Sequence, residues 1–524
     1  MRLTSLLIAG IAVAAGARGA PPEVPPRFPA AVELVRIDVT AVDREGRPVT
    51  DLRASDFEVT EKGRPRDIVT FEPVLVTSSR TTEAPGPPRD SGPRTLAPAE
   101  GHCYLIFFDD VHVSPPVSEW VRRNLAPFLE REVKDGDWVT IVAPEKRIWW
   151  TARTPWEHRQ LPELARRLSG QLVRDPFGGA EWSHSDWQAM QAVEYGFRTG
   201  AQAASRSGQE PPRPVGSSSG RGEGGPADEV TYAVAMRRIR HTLGVLREAI
   251  DSMAGFRGRR SLFLVSEGFI RSPRLRELQQ SVIAAARRAN VVVHFVAAQG
   301  LVAEGSIGER WLETMGAGSA EIAMETGGRS SLSNDVVSLV RETLEQSSAY
   351  YLLGIRPPDD KPGEHRVRVR VRRPGVRVDG RSRYFLAAAG AGAAVPPDIE
   401  ALRAVSDSTD LPLRVSTAVP PPVTAGPAAV RLSVEVLPVP GEARERRLGL
   451  RVLARPFGGG AGVEDAAELT VPATSEPLSV VRELPLRPGL WQARVVVSDV
   501  ETGALSSVVH TFEVPAPPAD PASR

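Results

Sequence analysis

Asp109 and Asp110 stand side by side where an apolar run stops, and His112 and Ser114 follow at alternate positions in the stretch CYLIFFDDVHVSPP, residues 103–116. A second acidic strand end, Ser266-Glu267-Gly268, closes the apolar stretch RRSLFLVSEG. Carboxylates and hydroxyls are the oxygen ligands that hard divalent cations prefer. Mg²⁺ keeps part of its water shell and needs only one or two carboxylates. Open parallel sheets bind ligands outside the carboxyl ends of their strands, where both acidic ends would lie. Cation binding is therefore the chemistry to weigh here. The alternative is that these are polar residues closing a buried strand, with Asp110 capping the next helix.

Other chemistry finds less support. The chain lacks Gly-x-Ser-x-Gly, a Gly-rich phosphate loop and His-Glu-x-x-His. His294 lies inside VVVHFVA and reads as a buried, hydrogen-bonded ring rather than a base. His241 and His365 fall on a helix and at a strand start, with no acid–serine partner at a recognisable spacing. Trp149-Trp150 could line a sugar-binding surface, but packing at the core or rim is the commoner use of such a pair. Cys103 is the single cysteine, so no intrachain disulfide forms, and it reads as a small buried hydrophobe. Metal-assisted hydrolysis at Asp110 and Glu267 is the enzymatic alternative, carried by the carboxylates alone.

The elements that must position these residues follow from pattern. At 524 residues the chain has room for about two to four domains. Sixty-five basic residues against 64 acidic ones give a net charge of +1, so no global field points to nucleic acid. Arg366–Arg373 is a basic cluster that could contact phosphate, but its alternation with Val fits the wet face of a strand better. Met1-Arg2 and the apolar Leu6–Gly16, with small residues at Ala15-Gly16-Ala17, read as a signal peptide over residues 1–20. Export follows, to the periplasm, the cell surface or the medium. No later apolar run approaches the ~18 residues of a spanning helix, so no transmembrane helix is expected after cleavage.

Residues 30–77 alternate apolar and polar around turns at 43–46 and 61–63, a small β module. A Pro/Ser/Thr/Gly linker covers 78–100. Over 101–347 short continuous apolar runs alternate with helical stripes such as Met236, Ile239, Leu243, Leu246 and Ile250. That pattern predicts an α/β domain with a mostly parallel sheet flanked by helices, interrupted by a disordered insertion at about 200–228. Residues 348–388 read as β hairpins, which could pair back onto 30–77. A linker over 389–407 precedes strands at sandwich spacing over 408–516, an Ig- or fibronectin-like β-sandwich.

Taken together, VDREGRPVTDLRASDFEVTEKGRPRDIVTF, FFDDVHVSPP, GRRSLFLVSEGF, METGG at 324–328 and SAYYLLGIRP resemble, in order and spacing, a von Willebrand factor A domain. More closely, residues 30–387 resemble the bacterial VWFA-related family of exported proteins. The resemblance implies a Rossmann-like, six-stranded, mostly parallel sheet between helices. It also implies a metal-ion-dependent adhesion site built from Asp-x-Ser-x-Ser, a later Thr and a later Asp. Carried onto this chain, the first motif is Asp110-x-His112-x-Ser114, with His where the family has Ser. Glu267 stands in for the later Asp, and Ser185, with Ser183 as runner-up, for the Thr; Asp109 is an added candidate.

An imidazole in that set would move preference from Mg²⁺ toward Mn²⁺ or, less so, Zn²⁺. His112 could instead turn to Asp109 and leave a weaker oxygen site. The function implied is an exported, non-enzymatic binding or adhesion protein whose protein partner completes the cation's coordination. The competing reading is an envelope scaffold in which that site is vestigial.

Overall fold

The computed structural model describes residues 35–75, 90–91, 102–172 without 134 and 155–156, 190, 193–194, 226–298 without 257–259, and 316–331. It further describes 349–386 without 358–360, 362 and 381–382, and 395–517 without 420–426, 439–444 and 473–475. The first strands are β1 (Val35–Val42), β2 (Phe57–Glu61), β3 (Arg64–Arg66), β4 (Ile68–Leu75) and β5 (Asp90–Ser91). Next come β6 (Cys103–Phe108), α1 (Pro115–Glu132), β7 (Trp138–Ala143), β8 (Ile148–Arg153), α2 (Gln160–Arg167) and α3 (Pro226–Ser252). They are followed by β9 (Arg260–Ser266), α4 (Arg276–Arg288), β10 (Val291–Ala297), α5 (Ala317–Glu325) and β11 (Ser330–Ser331). Then come β12 (Ala349–Ile355), β13 (Gly363–Val371), β14 (Arg377–Gly380), β15 (Arg383–Leu386) and α6 (Pro397–Arg403). The last strands are β16 (Ser408–Thr409), β17 (Leu413–Ala418), β18 (Ala428–Val436), β19 (Arg446–Pro456), β20 (Val463–Val471), β21 (Leu478–Leu486), β22 (Gly489–Asp499) and β23 (Leu505–Val514).

Three packed units result. In the first, β1 lies between β14 and β12 with β4 outside, and β13 lies between β15 and β2 with β3 outside. The chain leaves this module after β4 and returns to it at β12, whose Leu353 sits opposite Ile37 and Phe71. Alternate residues such as Val39, Phe57, Val59, Tyr351 and Val367 fill the space between the two sheets. The second unit is a six-stranded sheet in the order β11-β10-β9-β6-β7-β8. On one face Leu105 and Phe107 pack against Met236, Ile239 and Leu243 of α3 and Val282 of α4. On the other, Ile106 and Phe108 meet Val121 and Leu125 of α1 and Leu164 of α2. The third unit is a sandwich of sheets β16-β23-β22-β19-β20 and β21-β18-β17-β5.

This architecture corrects the expected fold class. Four of the five sheets contain antiparallel pairs only, and the parallel pairs are confined to the six-stranded sheet. That sheet is itself mixed, because β8 runs antiparallel to β7, with Ile141 opposite Trp150. The chain is thus mostly antiparallel β with one mixed sheet, and not a parallel-sheet α/β protein carrying β appendages. The physical reason is visible in the strands: period-two alternation, one face apolar and one wet, dominates 35–75, 349–386 and 408–514, and antiparallel sheets tolerate one solvated face.

Two smaller corrections accompany it. Part of the supposed linker at 389–407 is helix α6, whose Ala401 and Leu402 are buried with Leu453, Val496 and Leu505. The supposed insertion gives way to α3 from Pro226 onward. The signal segment, Ser183, Ser185 and most of residues 78–100 and 200–225 lie outside the described residues. Among the described residues, no helix is long and apolar enough to cross a membrane.

Candidate functional site

Strands β6 and β9 are neighbours in register, Phe108 opposite Val265, so both acidic ends leave the same edge of the sheet. The chain after β9 turns sharply at Gly268, whose φ of +87° suits glycine. Asp109, Asp110, His112, Ser114 and Glu267 are all brought together there, each at most 3% exposed. Backbone bonds knit the two ends: Asp109 N–H donates to Val265 O, and Glu267 N–H donates to His112 O.

Every carboxylate in this group is already engaged. Asp109 accepts from Thr242 Oγ1 at 2.9 Å and from Ser266 Oγ at 2.7 Å. His112 Nδ1 lies 2.9 Å from Asp109 Oδ2 and 3.1 Å from Oδ1. Asp110 turns the other way and accepts the backbone N–H groups of Glu145 and Lys146, each at 2.9 Å, closing the loop between β7 and β8. Glu267 Oε1 accepts from Ser114 N–H at 2.8 Å and from Ser114 Oγ at 2.5 Å.

Ser114 precedes α1, and its hydroxyl is spent on Glu267 rather than on the first turn of the helix. Pro115 and Pro116 lack N–H groups, so that turn has fewer donors to satisfy, and an acid beside it complements the helix dipole. His112 Nε2 is buried and has no hydrogen-bond partner among the described residues; its ring lies 5.8 Å from that of Phe269.

Burial works to raise Asp109, but the His112 ring and the bonds from His112, Ser266 and Thr242 hold it below the ordinary carboxylate value. Burial raises Asp110 to about 6 from 3.8, assisted by the charges of Asp109 and Glu145 and opposed by its two N–H donors. The folded chain therefore keeps a proton on Asp110 over a range where the unfolded chain has released it. The stability this proton contributes is full below the unfolded value and lost as pH rises through about 6, the reverse of a salt-bridged acid. It amounts to roughly 2–3 kcal/mol. Urea unfolding of the native chain and Asp110→Asn at about pH 4 and pH 7 checks it. The native chain should lose stability relative to the variant by that amount; a relative gain with pH would reverse the sign.

The expected cation site does not fit this arrangement. Asp110, which was to lead the motif, faces the 144–147 loop, while Ser114 and Glu267 bond each other. Among the described residues, no group of three His, Cys, Asp or Glu side chains is placed to hold a metal ion. Thr242 and Ser266 complete the cluster without having been singled out for it. Thr242 could have been suspected as a hydroxyl set within the apolar stripe of α3, next to Leu243.

The other sequence candidates resolve into packing. Trp150 is buried edge-on against Phe457 and donates to Gln160, and Arg455 stacks over Trp149. This pair packs against Phe457 and Arg455 of the C-terminal sandwich. His294 stacks on Phe263 and accepts from Arg329 N–H. His365 lies 2.9 Å from Glu61, which also accepts from Tyr384, and so joins β2 to β13 and β15. Cys103 is buried, and burial pushes its thiol up to about 12.

No protein-family model matches the chain, and no curated protein matches it. Among solved structures it has a likeness to Bacteroides uniformis beta-glucuronidase 2, at 17% identity over 20% of this chain and 13% of that one, with a TM-score of 0.15. A Bacteroides uniformis beta-glucuronidase is 13% identical over 32% of this chain and 19% of that one, at a TM-score of 0.16. Listeria innocua beta-glucosidase in complex with isofagomine is 12% identical over 85% of this chain and 49% of that one, also at 0.16. The chain thus spans less than half the length of each of these enzymes. Likenesses this slight carry no argument for its fold or its activity.

Proposed function

We propose that this chain is an exported, non-enzymatic binding and scaffold protein whose strand-end cluster locks the mixed sheet instead of holding a cation. One observation carries the reading: each carboxylate where the cation was expected accepts hydrogen bonds from donors of its own chain. A cation would have to break the Asp110 bonds to the 144–147 loop and part Ser114 from Glu267. Burying charged groups is tolerated when they are paired and hydrogen-bonded, which the cluster achieves unaided. Relationship to the exported VWFA-related proteins belongs to this proposal on the strength of the sequence motifs. The partner is a macromolecule met through the β surfaces, with no nucleic acid required.

Isothermal titration of the purified mature chain with Mg²⁺, Mn²⁺ and Zn²⁺ tests the reading, beside Asp110→Ala. No saturable heat is expected from any of the three ions. One-to-one binding that disappears in Asp110→Ala would restore the adhesion-type cation site. A hydrolytic function would show as turnover of 4-nitrophenyl glycosides or esters that is lost in Asp110→Asn, and none is expected.

A further inference from the structure

Strand β13 carries Arg366, Arg368 and Arg370 at alternate positions, all exposed, and the exposed Arg372 follows just beyond its end. The intervening Val367, Val369 and Val371 pack into the core between the two sheets of the N-terminal module. Period two therefore sends the arginines to the outer face. At about 6.8 Å per pair of residues, the row from 366 to 372 is roughly 20 Å long.

The facing strand does little to neutralise it. Thr60 lies opposite Arg368, and Glu58 opposite Arg370. None of the four guanidinium groups has an ion-pair partner among the described residues, whereas neighbouring Arg373 pairs with Asp51 and Arg66 with Glu61. The whole chain has a net charge of only +1, so this is a local concentration of one sign. Surfaces normally intersperse their charges unless they steer or bind something.

We propose that this face of β13 binds an acidic polysaccharide, its carboxylates meeting successive guanidinium groups. The planar guanidinium fork matches a carboxylate with two parallel hydrogen bonds, and a straight row suits an extended polymer with charge at regular intervals. Single-stranded nucleic acid is the weaker fit. Its binding sites add aromatic platforms for base stacking, and among the described residues the exposed large apolar side chains are all Val or Met. The face lies on a different unit from the strand-end cluster, so the cation titration and the test below can fail independently.

The test is fluorescence anisotropy with a labelled polygalacturonate oligomer and the full mature chain at low salt. The variant Arg366→Gln/Arg368→Gln/Arg370→Gln alters exposed side chains only, and a melting curve confirms its fold. Saturable binding is expected, weakening steeply as salt screens the contacts. It should fall about tenfold or more in the Gln variant, and by a smaller amount in the matching Lys variant, which keeps the charge but not the fork. The proposal is overturned by absence of saturable binding to the native chain, by equal affinity in the Gln variant, or by tighter binding of an oligothymidylate than of the polyuronate.

Discussion

Asp109→Ala is expected to destabilise the chain by about 3–5 kcal/mol, the cost of breaking a buried charged pair at one end. The carboxylate is fully buried and serves Thr242 of α3, Ser266 at the end of β9 and His112 of the loop after β6. Alanine leaves all three facing a cavity without an acceptor, and each buried donor left unsatisfied carries its own desolvation cost. Asp109→Asn, which keeps one acceptor oxygen and the volume, should recover part of the loss. Asp110→Ala should cost less, about 1–3 kcal/mol, because it frees two N–H groups of a loop whose Glu145 and Lys146 side chains are not buried. Urea denaturation of the three variants ranks them. If Asp109→Ala unfolds within about 1 kcal/mol of the native chain, the cluster is not a lock.

That ranking separates two uses of the same residues. A cation site is held open by charges that repel one another until the ion arrives, so removing one acid often relieves strain. A lock is satisfied by internal donors, and removing one acid strands them. The short Ser114–Glu267 contact of 2.5 Å and the bidentate reach of His112 onto Asp109 belong to the second case.

Much of the local structure was legible because burial leaves a simple signature. The runs YLIFF, WVTIVA and VVVHFVA became strands buried on both faces, and the stripe from Met236 to Ile250 became the buried side of α3. Asn290, just past α4, adopts φ +56°, the left-handed conformation in which helices commonly end. The balance of the fold was misjudged because the acids, His112 and Ser114 that drew the reading sit on the mixed sheet, while most of the strands come from the alternating segments. At the site the residues were found but not their partners. Hydrogen bonds from Thr242 to Asp109 and from residues 145–146 to Asp110 span 133, 35 and 36 positions. No local pattern encodes such contacts, so a carboxylate awaiting a metal and one already satisfied look alike in sequence. For Trp149-Trp150 packing was the commoner reading and it holds, but its partners Phe457 and Arg455 come from the distant sandwich and no local pattern names them.

The other large effect is expected at Arg494, on β22, where the sandwich meets the segment that leads into it. Its side chain is 4% exposed, with Nη1 2.8 Å from Asp407 Oδ1, Nη2 2.9 Å from Ser507 Oγ and Nε 3.1 Å from Ala401 O, and it also donates to Ser406 O. Asp407 is in turn 3.9 Å from Arg153 at the end of β8, and Val405 N–H donates to Ser252 O of α3. The same boundary holds Gln492, bonded both ways to the Thr151 backbone, and Glu157, which accepts from Thr511 at 2.5 Å. Arg494→Ala would leave the largely enclosed Asp407 beside a void and strip the Ser406 carbonyl and Ser507 Oγ of their guanidinium donor, a loss of about 3–5 kcal/mol. Arg494→Lys keeps the charge but not the fork and should fall between. Arg494→Met combined with Asp407→Leu should recover much of the loss, because neither end is then a lone buried charge. Calorimetry is the check: the transition of the sandwich should fall in temperature and separate from that of the mixed sheet in Arg494→Ala, and rejoin it in the double variant. Loss of less than about 1 kcal/mol in the single variant would mean that apolar packing of Phe457 on Trp150, and not the charged knot, joins the two units.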